Sequence, residues 1–383
     1  LDRRTFASVF LGLLALWTVA NGLLPLLPVY ARQLGFSASA IGVYLSLSYV
    51  ALALGTAFAG WLADRFGRRR TMAFLCGLGD ALLLATVGVA TAWWQLTALT
   101  AAAFALGGMC LAFLLALAGL SVHPAERGRI FGTLALTAAL GTVLGGLTIG
   151  PLADAVGYPA TFPLLAVVLA ALPLSTLLMV EGPPERGPPF MRVGHRRGFD
   201  RPLFLLLVAS TLGGTASFLG ILGRSLAMVL HGYGSTAISF AAAVGGAVAV
   251  PLTFLAGSLS DRVARKPLLV LCYMAGMGAL GIFALAGPLW QFWLGSVLLA
   301  LLTNAGYGVG QAWAADLVPP EFVGRGLSSL TSTIWIGGIL GFSLTGFLVE
   351  ASGTAAAFYF GLGLLVFAAV LLLLVRRART RKR

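Results

Sequence analysis

Apolar runs of twenty or more residues recur from one end of the chain to the other, and almost every charge falls in the gaps between them. A helix needs roughly 20 apolar residues to cross the hydrocarbon core of a bilayer. Twelve runs of that kind can be drawn: 6–31, 38–61, 71–91, 94–119, 130–150, 159–180, 202–230, 236–258, 267–287, 289–317, 327–350 and 354–375. The 383 residues are 59% hydrophobic and only 10% charged, too little charge to cover the surface of a soluble protein of this length. The fold class is therefore an all-α membrane protein. A net charge of +13 raises nucleic acid as a partner. The cations, however, are confined to loops and form no continuous face, which argues against it.

A polar stretch, residues 181–201, divides the runs six and six. It is rich in proline, glycine and arginine, as suits a solvated linker. The expected organisation is a six-helix bundle over 1–180, a cytoplasmic linker over 181–201, a second six-helix bundle over 202–375 and a basic tail over 376–383. Basic residues mark the cytoplasmic loops of membrane proteins. With the N-terminus inside, all of the 25 lysines and arginines but Arg32 and Arg224 fall on the inner side. This predicts a multi-pass protein of the cytoplasmic membrane with both termini in the cytoplasm. The run 6–31 is too long for the apolar region of a signal peptide and lacks a cleavage site. Cys76, Cys110 and Cys272 lie inside apolar runs without metal-ligand spacing and read as packing residues.

The two halves repeat each other. Gly60-Trp-Leu-Ala-Asp64-Arg65, followed by Arg68, Arg69 and Arg70, is answered by Gly257-Ser-Leu-Ser-Asp261-Arg262, followed by Arg265 and Lys266. Arg127-Gly128 is answered by Arg325-Gly326, and Gly35-Phe36 by Gly232-Tyr233. Gly145, Gly150, Asp154, Gly157 and Phe162 are answered by Gly341, Gly346, Glu350, Gly353 and Phe358, all at an offset of 196.

The pattern Gly-x-Leu-x-Asp-Arg followed by basic residues, present twice, resembles the signature loop of the major facilitator superfamily of transporters, and the resemblance covers essentially the whole chain. It implies two six-helix bundles related by pseudo-two-fold symmetry, with a substrate site near the membrane midplane between them. It also implies a cytoplasmic latch. In the family the loop aspartate sits near the N-terminus of span eleven, where free N–H groups favour an anion. Here that end reads Leu327-Ser328-Ser329. Gly60, Asp64, Arg65 and Arg68 would form one latch, and Gly257, Asp261 and Arg262 the other. Glycine at 60 would allow close helix approach, and Arg68 is within reach of Asp64.

Several intramembrane residues carry chemistry. Trp17 and Asn21 share a face of span one at i, i+4. An asparagine at that depth makes either an interhelical hydrogen bond or a ligand contact. Pro25 and Pro28 should bend the span. In span ten Asn304, Tyr307 and Gln311, at i, i+3, i+7, put three hydrogen-bonding groups on one face, either facing substrate or joining spans. Asp80 lies ten residues beyond Arg70, about 15 Å into the core. It is the acid nearest a midplane and the candidate for proton coupling. Arg224 lies toward the outer end of span seven, either facing the cavity or snorkelling to headgroups. Asp154 and Glu350 fall at outer ends and read as caps or loop contacts. Span five holds Gly146-x-x-x-Gly150-Pro151, a partial match to the superfamily's drug–proton antiporters. Asp154-Ala155 stand where those antiporters have two glycines, and span four carries no arginine.

No catalytic constellation, metal pattern or nucleotide-binding loop is evident, so an enzyme is not expected, nor any cofactor. The expectation is a secondary transporter of the alternating-access type, acting as a monomer and exporting hydrophobic or amphipathic compounds against protons. The alternatives are uptake of a sugar or small polar solute, lipid translocation, and a receptor or scaffold in a transporter fold.

Overall fold

In the computed structural model the described residues are 3–120, 127–179, 201–260, 263–319 and 322–375, and among them every regular element is a helix. The first half holds α1 (Arg3–Leu23), α2 (Leu27–Gln33), α3 (Ala38–Phe66), α4 (Arg69–Val87), α5 (Trp93–Leu120), α6 (Arg127–Val156), α7 (Tyr158–Leu169) and α8 (Ala171–Leu177). The second holds α9 (Arg201–Leu230), α10 (Ser235–Ser260), α11 (Arg265–Leu285), α12 (Leu289–Ala300), a π-helical segment (Leu301–Gly306), α13 (Tyr307–Leu317) and α14 (Val323–Leu374). Among the described residues eleven helical stretches are long and apolar enough to cross a membrane. One of them, within α14, has the length of two spans. It turns at Gly353, whose φ of +84° places it in the left-handed region open to glycine. Among the described residues each of the twelve expected runs is largely helical.

Where helices break, proline explains it. The first span is interrupted between α1 and α2, around Pro25 and Pro28. The sixth, α7 and α8, breaks near Ala170, three residues before Pro173. Proline removes a backbone donor and clashes with the preceding turn.

The repeat seen in the sequence is also a repeat of contacts. Gly35 and Gly232, and Gly157 and Gly353, all have positive φ. Phe162 and Phe358 are both buried. Gly145 leaves no room for a Cβ against Gly22 of α1, and Gly341 none against Phe218 of α9, so the helix pairs α1–α6 and α9–α14 pack backbone to backbone. Arg70 donates through Nε and Nη2 to the carbonyls of Thr176 (2.9 Å) and Leu177 (2.7 Å). Lys266, 196 residues on, donates to those of Leu373 (2.5 Å) and Val375 (3.0 Å). Each cation satisfies the free carbonyls at the C-terminus of the last span of its half, where the helix dipole favours positive charge.

The chain forms two compact units. Ser37–Ser46 belongs with the second unit and Gly234–Ala243 with the first, so α3 and α10 each run from one unit into the other. Small residues explain both assignments. Gly42 meets the Phe342 carbonyl and Gly346 of α14, and Ser46 Oγ lies 2.7 Å from Ser343 Oγ. Gly146 and Gly150 of α6 meet Ser239 of α10. The expected linker lies outside the described residues except for Arg201, as does the basic tail.

Candidate functional site

A linked set of polar side chains inside the spans lies in the second unit. α12 passes through the π-helical segment into α13, which begins at Tyr307. A π turn is wider than an α turn by one residue and often marks a functional site. Gln311 Nε2 donates to Tyr307 Oη at 2.6 Å. Tyr307 Oη lies 3.1 Å from Thr331 Oγ1 of α14, and that hydroxyl donates to the Leu327 carbonyl at 3.0 Å. Because the Thr331 proton is committed to Leu327, the chain runs Gln311 to Tyr307 to Thr331. Among the described residues the side-chain carbonyl of Gln311 accepts no hydrogen bond. All three side chains are half-buried.

The structure brings together only two of the three residues expected on this face. Asn304 falls in the π turn, is exposed, and bonds locally to the Ala300 carbonyl and Thr303 Oγ1, both at 3.1 Å. The wide turn breaks the i, i+3 register on which the expectation rested. Thr331, by contrast, had no sequence signal, because its role depends on a neighbour 24 residues away.

Asn21 donates to Thr142 Oγ1 (2.8 Å) and the Ala138 carbonyl (3.2 Å), and so joins α1 to α6. Trp17, one turn earlier, backs onto Gly141 of α6. Arg224 is 5% exposed. Its Nη1 donates to Ser296 Oγ at 2.8 Å, while Nε is buried without a hydrogen bond. A guanidinium so enclosed does not snorkel, which corrects that alternative. Asp80 is also 5% exposed. Its carboxylate fills space that Gly107 of α5 leaves open: a Cβ there would stand 3.2 Å from Oδ2. Among the described residues Asp80 has no hydrogen-bond or ion-pair partner. An unpaired acid at that depth is costly, and such residues in membrane helices tend to be functional.

Of the expected latch residues, Arg65 and Arg68 are exposed. Nothing lies within 4 Å of a Cβ at Gly60, so the close approach expected there is not present among the described residues. The side chain of Asp64, the surroundings of Gly257, and Asp261 and Arg262 lie outside the described residues. An apolar groove of about 340 Å³ between α3 and α5, lined by Leu47, Val50, Leu54, Trp93, Trp94 and Thr97 among others, holds none of the expected site residues.

Comparison with known proteins places this arrangement. The family model of the Major Facilitator Superfamily matches residues 9–288 and 203–383. The chain belongs to the Major Facilitator Superfamily. It is accordingly a multi-pass membrane transporter of the secondary-active, alternating-access type, not an enzyme. Similar relatives include the multidrug resistance protein MdtG of Citrobacter koseri, 27% identical with 96% of this chain and 94% of that protein covered. MdtG of Proteus mirabilis is 26% identical, with 90% and 89% covered. Among solved structures, the nucleoside transporter NupG superposes with a TM-score of 0.79 at 15% identity, covering 98% of this chain and 100% of that one. A bacterial homologue of the human lysosomal transporter Spinster, in an inward-facing and occupied conformation, gives 0.75 at 16%, with 97% and 96% covered. At these identities the structural likeness establishes the fold alone.

Proposed function

We propose that this superfamily member takes up a small, uncharged, polar solute of sugar or nucleoside size, held by hydrogen bonds at Gln311, Tyr307 and Thr331. The observation that carries this reading is the neutral hydrogen-bonded chain ending in the Gln311 carbonyl, which accepts no hydrogen bond among the described residues. A carbonyl left open beside a tyrosine hydroxyl can accept from a solute hydroxyl or amine without any charge to neutralise. The concentration of basic residues in alternate loops supports placing both termini in the cytoplasm.

Export of amphipathic compounds, the first expectation from the sequence, is the second reading. What favours it is that the relatives at 26–28% identity over most of the chain are multidrug resistance proteins.

Solute counterflow in proteoliposomes separates the two. Neutral sugars and nucleosides are tested beside lipophilic cations, each with and without a pH gradient. Tyr307→Phe and Gln311→Leu are expected to raise the half-saturation concentration for the transported polar solute about two- to ten-fold each, the value of one hydrogen bond. Gradient-driven movement of lipophilic compounds, with no polar solute carried, would transfer the assignment to export.

A further inference from the structure

The guanidinium of Arg224 is used only in part. Arg224 stands on α9, six residues before Leu230, and Ser296 on α12, seven residues after Leu289. At 1.5 Å per residue both lie roughly 10 Å inside the end of their helix, so two elements of the second unit set the same depth. Arg224 is 5% exposed. Its Nη1 donates to Ser296 Oγ at 2.8 Å, and that hydroxyl gives its own proton to the Phe292 carbonyl at 2.7 Å. The Ser296 oxygen therefore meets Arg224 purely as an acceptor. Nε is buried without a hydrogen bond, and among the described residues Nη2 makes none either.

The charge is unopposed as well. In the second unit the acids among the described residues are Asp316 and Glu350. Asp316 pairs with Arg265 at 2.7 Å, and Glu350 accepts from the Ser39 N–H at 2.7 Å. Among the described residues no carboxylate forms an ion pair with Arg224. A guanidinium cannot shed its proton to escape the cost of burial. A hydroxyl offers it a dipole but no counter-charge, and a buried charge needs one.

The shape of the group defines what would supply that charge. The guanidinium is planar, so with Nη1 committed to Ser296 the edge of Nε and Nη2 presents two parallel N–H groups. Two parallel donors match the two oxygens of one carboxylate. Charge points the same way. One positive charge is neutralised by one monoanion, whereas a dianion would leave a net negative charge buried. The adjoining Gly223 backs onto the ring of Phe358, 2.8 Å from where a Cβ would stand, so packing beside the site is tight and favours a small anion.

We propose that Arg224, oriented by Ser296, binds a small monocarboxylate through Nε and Nη2. Ser296 and Gln311 are 15 residues apart on one span, roughly 20 Å along it, so this site is separate from the Gln311–Tyr307–Thr331 chain. It does not rest on the identity of the solute.

The test is thermal unfolding of the full-length protein in detergent, with no solute present. Sodium chloride is exchanged stepwise for sodium formate or sodium acetate at constant ionic strength and pH. Either carboxylate should raise the midpoint saturably, by about 2–5 °C at saturation. Arg224→Gln should abolish the saturable rise. Arg224→Lys keeps the charge without the fork and should raise the half-saturation concentration about ten-fold or more. Ser296→Ala should raise it about two- to ten-fold. Infrared difference spectra with carbon-13 formate should show a displaced carboxylate stretch in the parent that Arg224→Gln lacks. No saturable rise in the parent, or an equal rise in Arg224→Gln, would overturn the proposal. Should Arg224→Gln not be recovered, a parental half-saturation in Ser296→Ala would overturn it instead. Sodium sulfate giving the same saturable rise as formate would overturn the assignment to a monocarboxylate. No transport is measured, so either result leaves the solute assignment standing, and failure of the solute assignment leaves this site standing.

Discussion

At the scale of single residues, the two buried charges pose opposite problems. Arg224 is held by a neutral hydroxyl, and Ser296 Oγ in turn donates to the Phe292 carbonyl at 2.7 Å. Asp80 has no such partner among the described residues and survives in the first unit because Gly107 makes room for it. A carboxylate kept in the membrane interior without a partner is well placed to bind and release a proton, since only the charged form is penalised there. If transport is coupled to protons through this residue, Asp80→Asn is expected to abolish gradient-driven transport while solute exchange continues at near the parental rate. Counterflow and pH-gradient uptake in the same vesicles measure the two separately. Uptake that stays gradient-driven in this variant would exclude the residue. The asparagine at 21 illustrates a different outcome: of its two readings, the interhelical bond is made, to Thr142 and Ala138.

At the scale of the element, the π-helical segment Leu301–Gly306 decides what span ten presents. It adds one residue to a turn, so everything after it is rotated relative to α12. Deleting one residue from this segment should restore a continuous α-helix and turn Tyr307 and Gln311 by about 100° relative to α12. The expected outcome is a folded protein, with a melting midpoint near that of the parent, whose solute transport is lost. Retained transport would mean that the Gln311–Tyr307–Thr331 chain does not hold the solute. The glycines elsewhere act at the same scale. A side chain at Gly145 or at Gly341 would force α1 from α6 or α9 from α14, because each faces backbone atoms of its neighbour under 3 Å from the added carbon.

At the scale of the whole molecule, transport needs the two sides to close in turn. Asp64 lies at the end of α3 opposite Ser39, whose N–H donates to Glu350. If the loop latches the cytoplasmic side, Asp64→Asn should shift labelled protein toward the inward-open state. The expected size is about two- to five-fold in population for the loss of one charge at a helix end. Paired labels on the cytoplasmic ends of the helices measure it, and identical distributions in parent and variant would remove the latch.

The sequence by itself determined the membrane class, the succession of apolar helices and the internal repeat. Each of these depends on local hydropathy, on where charges interrupt it, or on a fixed offset such as that from Asp154 to Glu350, and none requires knowing what touches what. It also exposed the residues worth watching, because charge and amide groups inside apolar runs stand out. Only the tertiary structure decided what they touch. Gln311 meets Tyr307 while Asn304 turns away because a π turn leaves no mark in residue spacing. Thr331 joins them, Gly107 shelters Asp80, and Ser39 and Ser235 receive the outer carboxylates through contacts between residues as much as 311 positions apart. The exchange of the outer turns of α3 and α10 between units was hidden for the same reason. It follows from which small residues face one another across helices, and a linker between two apolar blocks carries no record of that.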